Sequence, residues 1–367
     1  MEMPEARWYA GLDVHKDTVS VAVMERFAAE PELEVVKPNR LVSLSRLLAE
    51  FAKRGEVLAG YEAGPTGYGL ARSLRQAGVE CCVLAPGKLP RAALERVKTD
   101  RRDAVKLARA LRAGEAVKVR IPTATEEAVR EYVRTRHELK LAGAKAKNRL
   151  QAVLLRHDLR YGGKGQWTKA HWRWIQGIRV EHPELQESIS RRADTVAYFD
   201  EQVRQMDGQI KECAARPSFM QQVQRLRYLK GIGTYTALAL ISEVGDFRRF
   251  PTARAFMAFL GLVPSEHSSG PRRRTGGITK TGNSFLRALL IEAGWHYAYP
   301  ERSSEKLRRK RRGQSGRIAA YAARASERLH RVYCRLSFRR HNGKVAVVAV
   351  ARELAGFVWG IMTDSTL

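Results

Sequence analysis

The chain has 367 residues, long enough for two or three domains with sizeable cores. Hydrophobic residues make up 44% of it, which excludes a disordered polycation. Its 66 Lys+Arg against 38 Asp+Glu leave a net charge of +28; such an excess costs stability by self-repulsion, so a neutralising polyanion, nucleic acid first, is the expected partner.

The first section, residues 1–122, alternates strand and helix signals. Residues 8–14 (WYAGLDV) form a short apolar run carrying Asp13 near its end. Residues 18–24 (TVSVAVM) alternate and are rich in β-branched side chains, so they read as a strand pairing back on the first, with 33–36 as a third. A helix over 41–53 leads to a buried strand, 57–61, that runs into Glu62. A helix over 66–76, a strand over 79–84 and a helix over 100–111 follow; the last has Ala104, Leu107, Ala108 and Leu111 at helical spacing. This order of elements is that of a ribonuclease-H-like α/β domain.

Residues 123–216 read as a helical linker. One long helix covers 124–155, with Val129, Val133, Ala142, Ala146, Leu150 and Val153 on one face and Arg130, Arg134, Lys140, Lys145, Lys147 and Arg149 on the other. The stretch 160–176, rich in Gly, Trp and Lys, reads as a connection to a second helix over 184–214. An antiparallel coiled-coil arm, a dimerising pair and two helices packed in a compact domain all fit this pattern.

In residues 217–367, the stretch 226–242 (LRYLKGIGTYTALALIS) has the look of a helix-hairpin-helix, whose Gly231 and Gly233 let backbone amides approach a phosphate beside Lys230. A plain helix–helix turn fits the same residues. Residues 261–284 are polar and Gly-rich, of ordinary loop composition; a helix over 285–293, an Arg-rich stretch over 302–340 and a last amphipathic or buried helix over 345–361 complete the chain. Cys81, Cys82, Cys213 and Cys334 show no CxxC spacing, so neither a zinc site nor a disulfide framework is expected. No signal-peptide pattern and no run of 18 apolar residues is seen, which points to the cytoplasm and away from a membrane.

Two constellations carry chemistry. Asp13 and Glu62 end strands that lie side by side in a ribonuclease-H-like sheet, and Asp100 and Asp103 share one face of the helix that can close over them. Four carboxylates at one point raise one another's pKa and require cations; hard oxygen donors suit Mg2+ or Mn2+, which polarise a phosphodiester. Taken singly, Asp100 would serve as an N-cap and Asp13 as a turn residue. The second constellation is Ser265, Ser268 and Ser269 followed by Arg272, Arg273, Arg274 and Lys280. A serine hydroxyl needs a base or a positive field to act as a nucleophile, and by residue chemistry alone a basic loop on the DNA backbone explains this stretch equally well.

Together the motifs GLDVHK, YEAGPTGYGL, KTDRRDA, LKGIG and GLVPSEHSSG…GGITKTGNSFLR resemble the IS-one-ten family of insertion-sequence transposases, the DEDD transposases or bridge-RNA-guided recombinases, over nearly the whole chain. The resemblance implies a RuvC-like N-terminal domain holding Mg2+ through Asp13, Glu62, Asp100 and Asp103, a coiled-coil linker, and a C-terminal transposase domain. It also implies a catalytic serine, Ser269 by motif position with adjacent Ser268 as the other register, that forms a phosphoserine link to DNA. Donor and target DNA, a non-coding bridge RNA and a dimeric or tetrameric assembly are the implied partners. The long arm between acids and serine is consistent with a site shared between protomers. Two other functions fit the residues: a RuvC-like Holliday-junction nuclease using metal-activated water, and a non-catalytic architectural protein.

Overall fold

The computed structural model describes residues 5–86, 99–269, 272–300, 316–340 and 342–364. The chain divides into two compact units, residues 1–123 and 124–367.

The first unit contains β1 (Trp8–Val14), β2 (Thr18–Glu25), β3 (Leu33–Pro38), α1 (Leu41–Ala52), β4 (Val57–Glu62), α2 (Gly69–Gln76), β5 (Glu80–Leu84), α3 (Asp100–Arg112) and β6 (Lys118–Val119). These are the elements expected from the sequence, with the two-residue β6 added. The sheet order is β3-β2-β1-β4-β5-β6, β1 lying antiparallel to β2 and parallel to β4. Alternation sorts the side chains to two faces. Trp8, Ala10 and Leu12 of β1 with Ala59 and Tyr61 of β4 meet Leu44, Leu48 and Phe51 of α1 and Ala71 and Leu74 of α2. Tyr9, Leu58, Cys82 and Leu84 face the other way, onto Leu107, Ala110 and Leu111 of α3.

The second unit contains α4 (Ala124–Arg156), α5 (Lys169–Gly177), α6 (Pro183–Ala214), α7 (Pro217–Leu226), α8 (Thr234–Val244), α9 (Ala253–Phe259), β7 (Pro264–Ser269), β8 (Arg272–Ile278), α10 (Ser284–Gly294), α11 (Gly316–Arg340) and α12 (Gly343–Thr363). The pair α4 and α6 pack along each other. At one end Val129, Val133, Ile210, Cys213 and Ala214 join the main helical core. At the other, Leu150, Val153, Leu154, Ile189 and Val196 close a separate core with Ile175 and Ile178. So the pair is an arm rooted in the helical core.

The connection at 160–176 is more ordered than its composition suggests. Thr168 caps α5 by accepting from the His171 amide at 3.2 Å. His171 is buried, stacks on Trp174 at 19°, and its Nδ1 accepts the Trp167 amide at 3.0 Å. The residues around it are aromatic, Tyr161, Trp167 and Trp174 each lying within 6 Å of the imidazole.

Two further differences from the sequence reading concern residues 261–284 and α12. The polar Gly-rich stretch is a β-hairpin, β7 against β8, rather than a loop. The helix α12 has 21 residues and is apolar enough to cross a membrane by composition, yet Val350, Ala351, Leu354, Ala355, Val358 and Ile361 are core residues. Its apolar surface is spent on the helical core.

Candidate active site

The acid cluster is assembled by glycine. Gly11 lies two residues before Asp13 on β1, on the same face of the sheet. A Cβ built there would overlap the Ala104 carbonyl oxygen and come within 2.5 Å of the Ala108 nitrogen, both backbone atoms of α3. Only a bare Cα lets α3 rest directly on β1. Gly60 plays a milder form of the same part on β4, where a Cβ would lie 2.9 Å from Leu111 Cδ1. Gly60 stands opposite Gly11 in the register, and Leu12 opposite Tyr61. Asp13 and Glu62 therefore leave neighbouring strands at one level, on the face that α3 covers.

The start of α3 is arranged so that its acids are available. Thr99, not Asp100, is the N-cap: its Oγ1 accepts from the Arg102 amide at 3.4 Å. Asp100 and Asp103 fall in the first turn, where the helix dipole favours negative charge. Asp100 Oδ2 lies 3.6 Å from His15 Nε2, and that nitrogen lies 3.2 Å from Asp13 Oδ2. One donor atom from each of Asp13, His15 and Asp100 fits within a span of 4.8 Å. Asp103 pairs with Lys106 at 3.4 Å. Glu62 is exposed at the end of β4 and is outside the three-residue grouping.

Burial pushes the Asp13 carboxyl above its usual range; His15 pulls it down by charge and hydrogen bond, and Asp100 and Asp103 push it up by repulsion. A site that penalises its own negative charge in this way favours a bound cation. Among the acids expected to converge, the structure brings Asp13 and Asp100 together through His15, with Asp103 near enough to repel Asp13. The part of His15 was not read from the sequence. It stands in the GLDVHK motif, but a histidine two residues past a strand acid gives no separate signal.

The second constellation is a hairpin in the second unit. Its register pairs His267 with Arg274, Ser268 with Arg273 and Ser269 with Arg272. The side chains of His267, Ser268, Ser269, Arg272 and Arg273 lie outside the described residues, as do residues 270–271 and, in the Arg-rich stretch, 301–315. Arg274 and Lys280 are exposed. Ser265 is set apart from the other serines: a Cβ on Gly276 would meet its hydroxyl at 2.5 Å, so this serine packs across the hairpin.

The hairpin base is closed tightly. The Thr279 amide donates to Val263 O at 2.9 Å, the Lys280 amide to Gly261 O at 3.1 Å and the Asn283 amide to Phe259 O at 3.0 Å. Gly261 and Gly282 take positive φ, 64° and 78°, where a Cβ would overlap the Thr281 and Phe259 carbonyls. Lys280 also sits at φ 58°, a conformation held by its surroundings.

In the turn at residues 227–233, Lys230 Nζ donates to Tyr299 O at 2.7 Å. Gly231 has φ 81°, and a Cβ there would lie 2.5 Å from Ala293 O of α10. Its missing side chain thus admits the protein's own helix. Gly233 is exposed and caps α8. Of the basic face expected on α4, Arg134 pairs with Glu243 and Lys147 with Asp200, while Lys140, Lys145 and Arg149 are exposed.

Comparison with known proteins places this arrangement. A family model described as "Transposase IS116/IS110/IS902 family" matches residues 223–311, and a DEDD-type model described as "Transposase" matches residues 10–157. The chain is 37% identical to a putative transposase, y4qE, of Sinorhizobium fredii over 97% of its own length and 89% of that relative. It is 32% identical to the transposase for insertion sequence element IS1533 of Leptospira borgpetersenii, covering 90% of this chain and 97% of the relative. A probable family 20 transposase of Pseudomonas aeruginosa is 27% identical over 77% of this chain and 81% of its own. Both segments that carry the acids and the hairpin are matched, and the chain belongs to the IS110/IS116 family of insertion-sequence transposases.

Proposed function

We propose that this transposase cuts and rejoins DNA with two sets of groups, the acids Asp13, Glu62, Asp100 and Asp103 and the hydroxyl of Ser269. The convergence of Asp13 and Asp100 across β1 and α3 is the observation that carries the reading. The first unit is then a ribonuclease-H/RuvC-like domain; parallel neighbours β1 and β4, with acids at their carboxyl ends, support that assignment. The four acids would hold Mg2+ or Mn2+, a choice that their oxygen donors support. When bound, the ion supplies positive charge against the anion that develops on a phosphate under attack.

In this reading Ser269 Oγ attacks phosphorus, the bond to one deoxyribose oxygen breaks, and the hydroxyl proton passes to the departing oxygen by way of a base. Attack by a strand-end hydroxyl on the phosphoserine then reverses the exchange, so one phosphodiester replaces another without external energy. Arg272, Arg273, Arg274 and Lys280 hold the phosphate, with Lys230 and the exposed Gly233 contributing to the DNA surface, while Gly231 makes room for α10. Recognition through a non-coding bridge RNA and assembly as a dimer or tetramer rest on the resemblance of the motifs; the +28 charge accords with a polyanionic complex.

Labelled DNA carrying the element's ends, incubated with protein and Mg2+ and run on a denaturing gel, tests the chemistry. A protein-linked strand that disappears with Ser269→Ala and persists with Ser268→Ala is expected. Free ends with no linked strand would favour the metal-activated-water nuclease instead.

A further inference from the structure

The acid site contains one donor that the four-carboxylate reading leaves out. We infer that His15 enters the coordination shell of the divalent ion, making a mixed nitrogen–oxygen site that shifts preference from Mg2+ toward Mn2+. The inference rests on the metal reading of this site.

The geometry is already that of a shared ion. Nitrogen and oxygen ligands bound about 2.1 Å from one centre stand roughly 3–4 Å apart. His15 Nε2 is 3.2 Å from Asp13 Oδ2 and 3.6 Å from Asp100 Oδ2. The three donor atoms lie within 4.8 Å of one another, close enough for small side-chain adjustments to bring them to one ion. Among the described residues, this is the group of three donors that lies within a ligand-sized span.

The backbone that carries the imidazole is fixed as well. The His15 amide donates to Thr18 O at 2.9 Å, and the His15 carbonyl accepts from Asn39 Nδ2 at 2.8 Å. The turn between β1 and β2 is thereby tied to the chain beyond β3. Backbone bonds on both sides fix where the Cα–Cβ bond of His15 points, toward Asp13 and Asp100. Its side chain is 52% exposed, so an ion reaches it directly from water. An imidazole nitrogen is a softer donor than carboxylate or water, and first-row transition ions gain more from it than Mg2+ does.

Pulsed EPR of Mn2+ bound to the full-length protein reads the shell directly, because a coordinated imidazole nitrogen modulates the electron-spin echo. We expect that modulation in the wild type and its loss in His15→Gln, which offers an oxygen in place of nitrogen. His15→Ala should weaken Mn2+ binding by at least about tenfold, with a smaller effect on Mg2+. Both variants alter an exposed side chain, and circular dichroism checks that they fold. Bound Mn2+ without nitrogen modulation, or modulation that survives His15→Gln, overturns the inference and leaves the acid site standing. Mn2+ binding that is indifferent to Asp13→Asn sinks the metal reading, and the inference with it.

Discussion

The Asn283 side-chain amide donates to a Glu243 carboxylate oxygen at 2.8 Å, and the carboxylate that receives it is only 2% exposed. The same carboxylate takes two bonds from Arg134 of α4, at 2.6 and 3.0 Å. Asn283 in turn caps α10, its Oδ1 accepting from the Leu286 amide at 2.9 Å, and its own amide closes the hairpin base on Phe259 O. One buried charge therefore joins the arm helix α4 to α8 and to the base of the Ser269 hairpin. Glu243→Ala takes the buried carboxylate away from both Arg134 and the Asn283 amide. Because Arg134 remains partly in water, the cost falls below the range for a fully buried pair, to about 2–3 kcal/mol. For a unit of this size that is roughly 5–10 °C in Tm, and calorimetry showing no shift would contradict the role given to Glu243.

At the acid site, stability and metal binding should oppose each other. Burial first, then repulsion from Asp100 and Asp103, holds the Asp13 carboxyl above its usual pKa, so its ionised form is disfavoured in the folded protein without metal. A raised carboxyl pKa favours the fold below the unfolded value and withdraws that favour as pH rises through the folded one. At neutral pH Asp13 is thus a net cost, and Asp13→Asn should stabilise the metal-free protein. Mn2+ should raise the melting temperature of the wild type and leave that of Asp13→Asn unchanged. Differential scanning fluorimetry with and without the ion measures both; a less stable metal-free Asp13→Asn would count against the cluster.

The strand acids were legible because period-two alternation and terminal position fix where Asp13 and Glu62 emerge. The spacing of Asp100 and Asp103 likewise announced a shared helix face. The cap could not be assigned in the same way, since Thr99 and Asp100 are both good capping residues and only the backbone shows that Thr99 takes the bond. The hairpin at 264–278 was hidden by composition: Ser, Arg and Gly carry weak strand preference, and its pairing is secured at its base by Gly261, Gly282 and Asn283 instead. His15 was beyond reach for a different reason, because its meaning depends on Asp100, which is distant in sequence.

The arm's far end should respond to acid. Burial holds the His171 imidazole below its usual pKa of 6.5. Its Nδ1 accepts the Trp167 amide, a bond that a doubly protonated ring cannot take. The charges next to this cluster, Lys147 over the Trp167 ring at 5.3 Å and Asp200 paired with Lys147, offset each other. The unfolded imidazole gains its proton near pH 6.5 and the folded one lower, so the stabilisation is complete above that pH and is lost as pH falls through the window below it. Tryptophan emission should therefore shift to the red between about pH 7 and 5 as Trp167, Trp172 and Trp174 meet water. His171→Phe, which keeps a ring and removes the titration, should flatten that shift; an unchanged profile would place the acid response elsewhere.

A substitution that touches no acid should dismantle the acid site. Gly11→Ala places a methyl where the Ala104 carbonyl and the Ala108 amide of α3 now stand, and neither backbone group can yield alone. Either the helix lifts from β1 or the strand bends, at a cost of about 1–3 kcal/mol for overpacking. Lifting α3 carries Asp100 and Asp103 away from Asp13, so Mn2+ affinity should fall with stability. Gly60→Ala supplies the comparison. Its methyl would meet Leu111 Cδ1 at 2.9 Å and Cδ2 at 3.0 Å, the end of a side chain that can change rotamer. This variant should lose less stability and keep most of its metal affinity. Isothermal titration of both variants separates the cases. Equal losses in the two, or full Mn2+ affinity in Gly11→Ala, would show that the approach of α3 to β1 does not set the spacing of the acids.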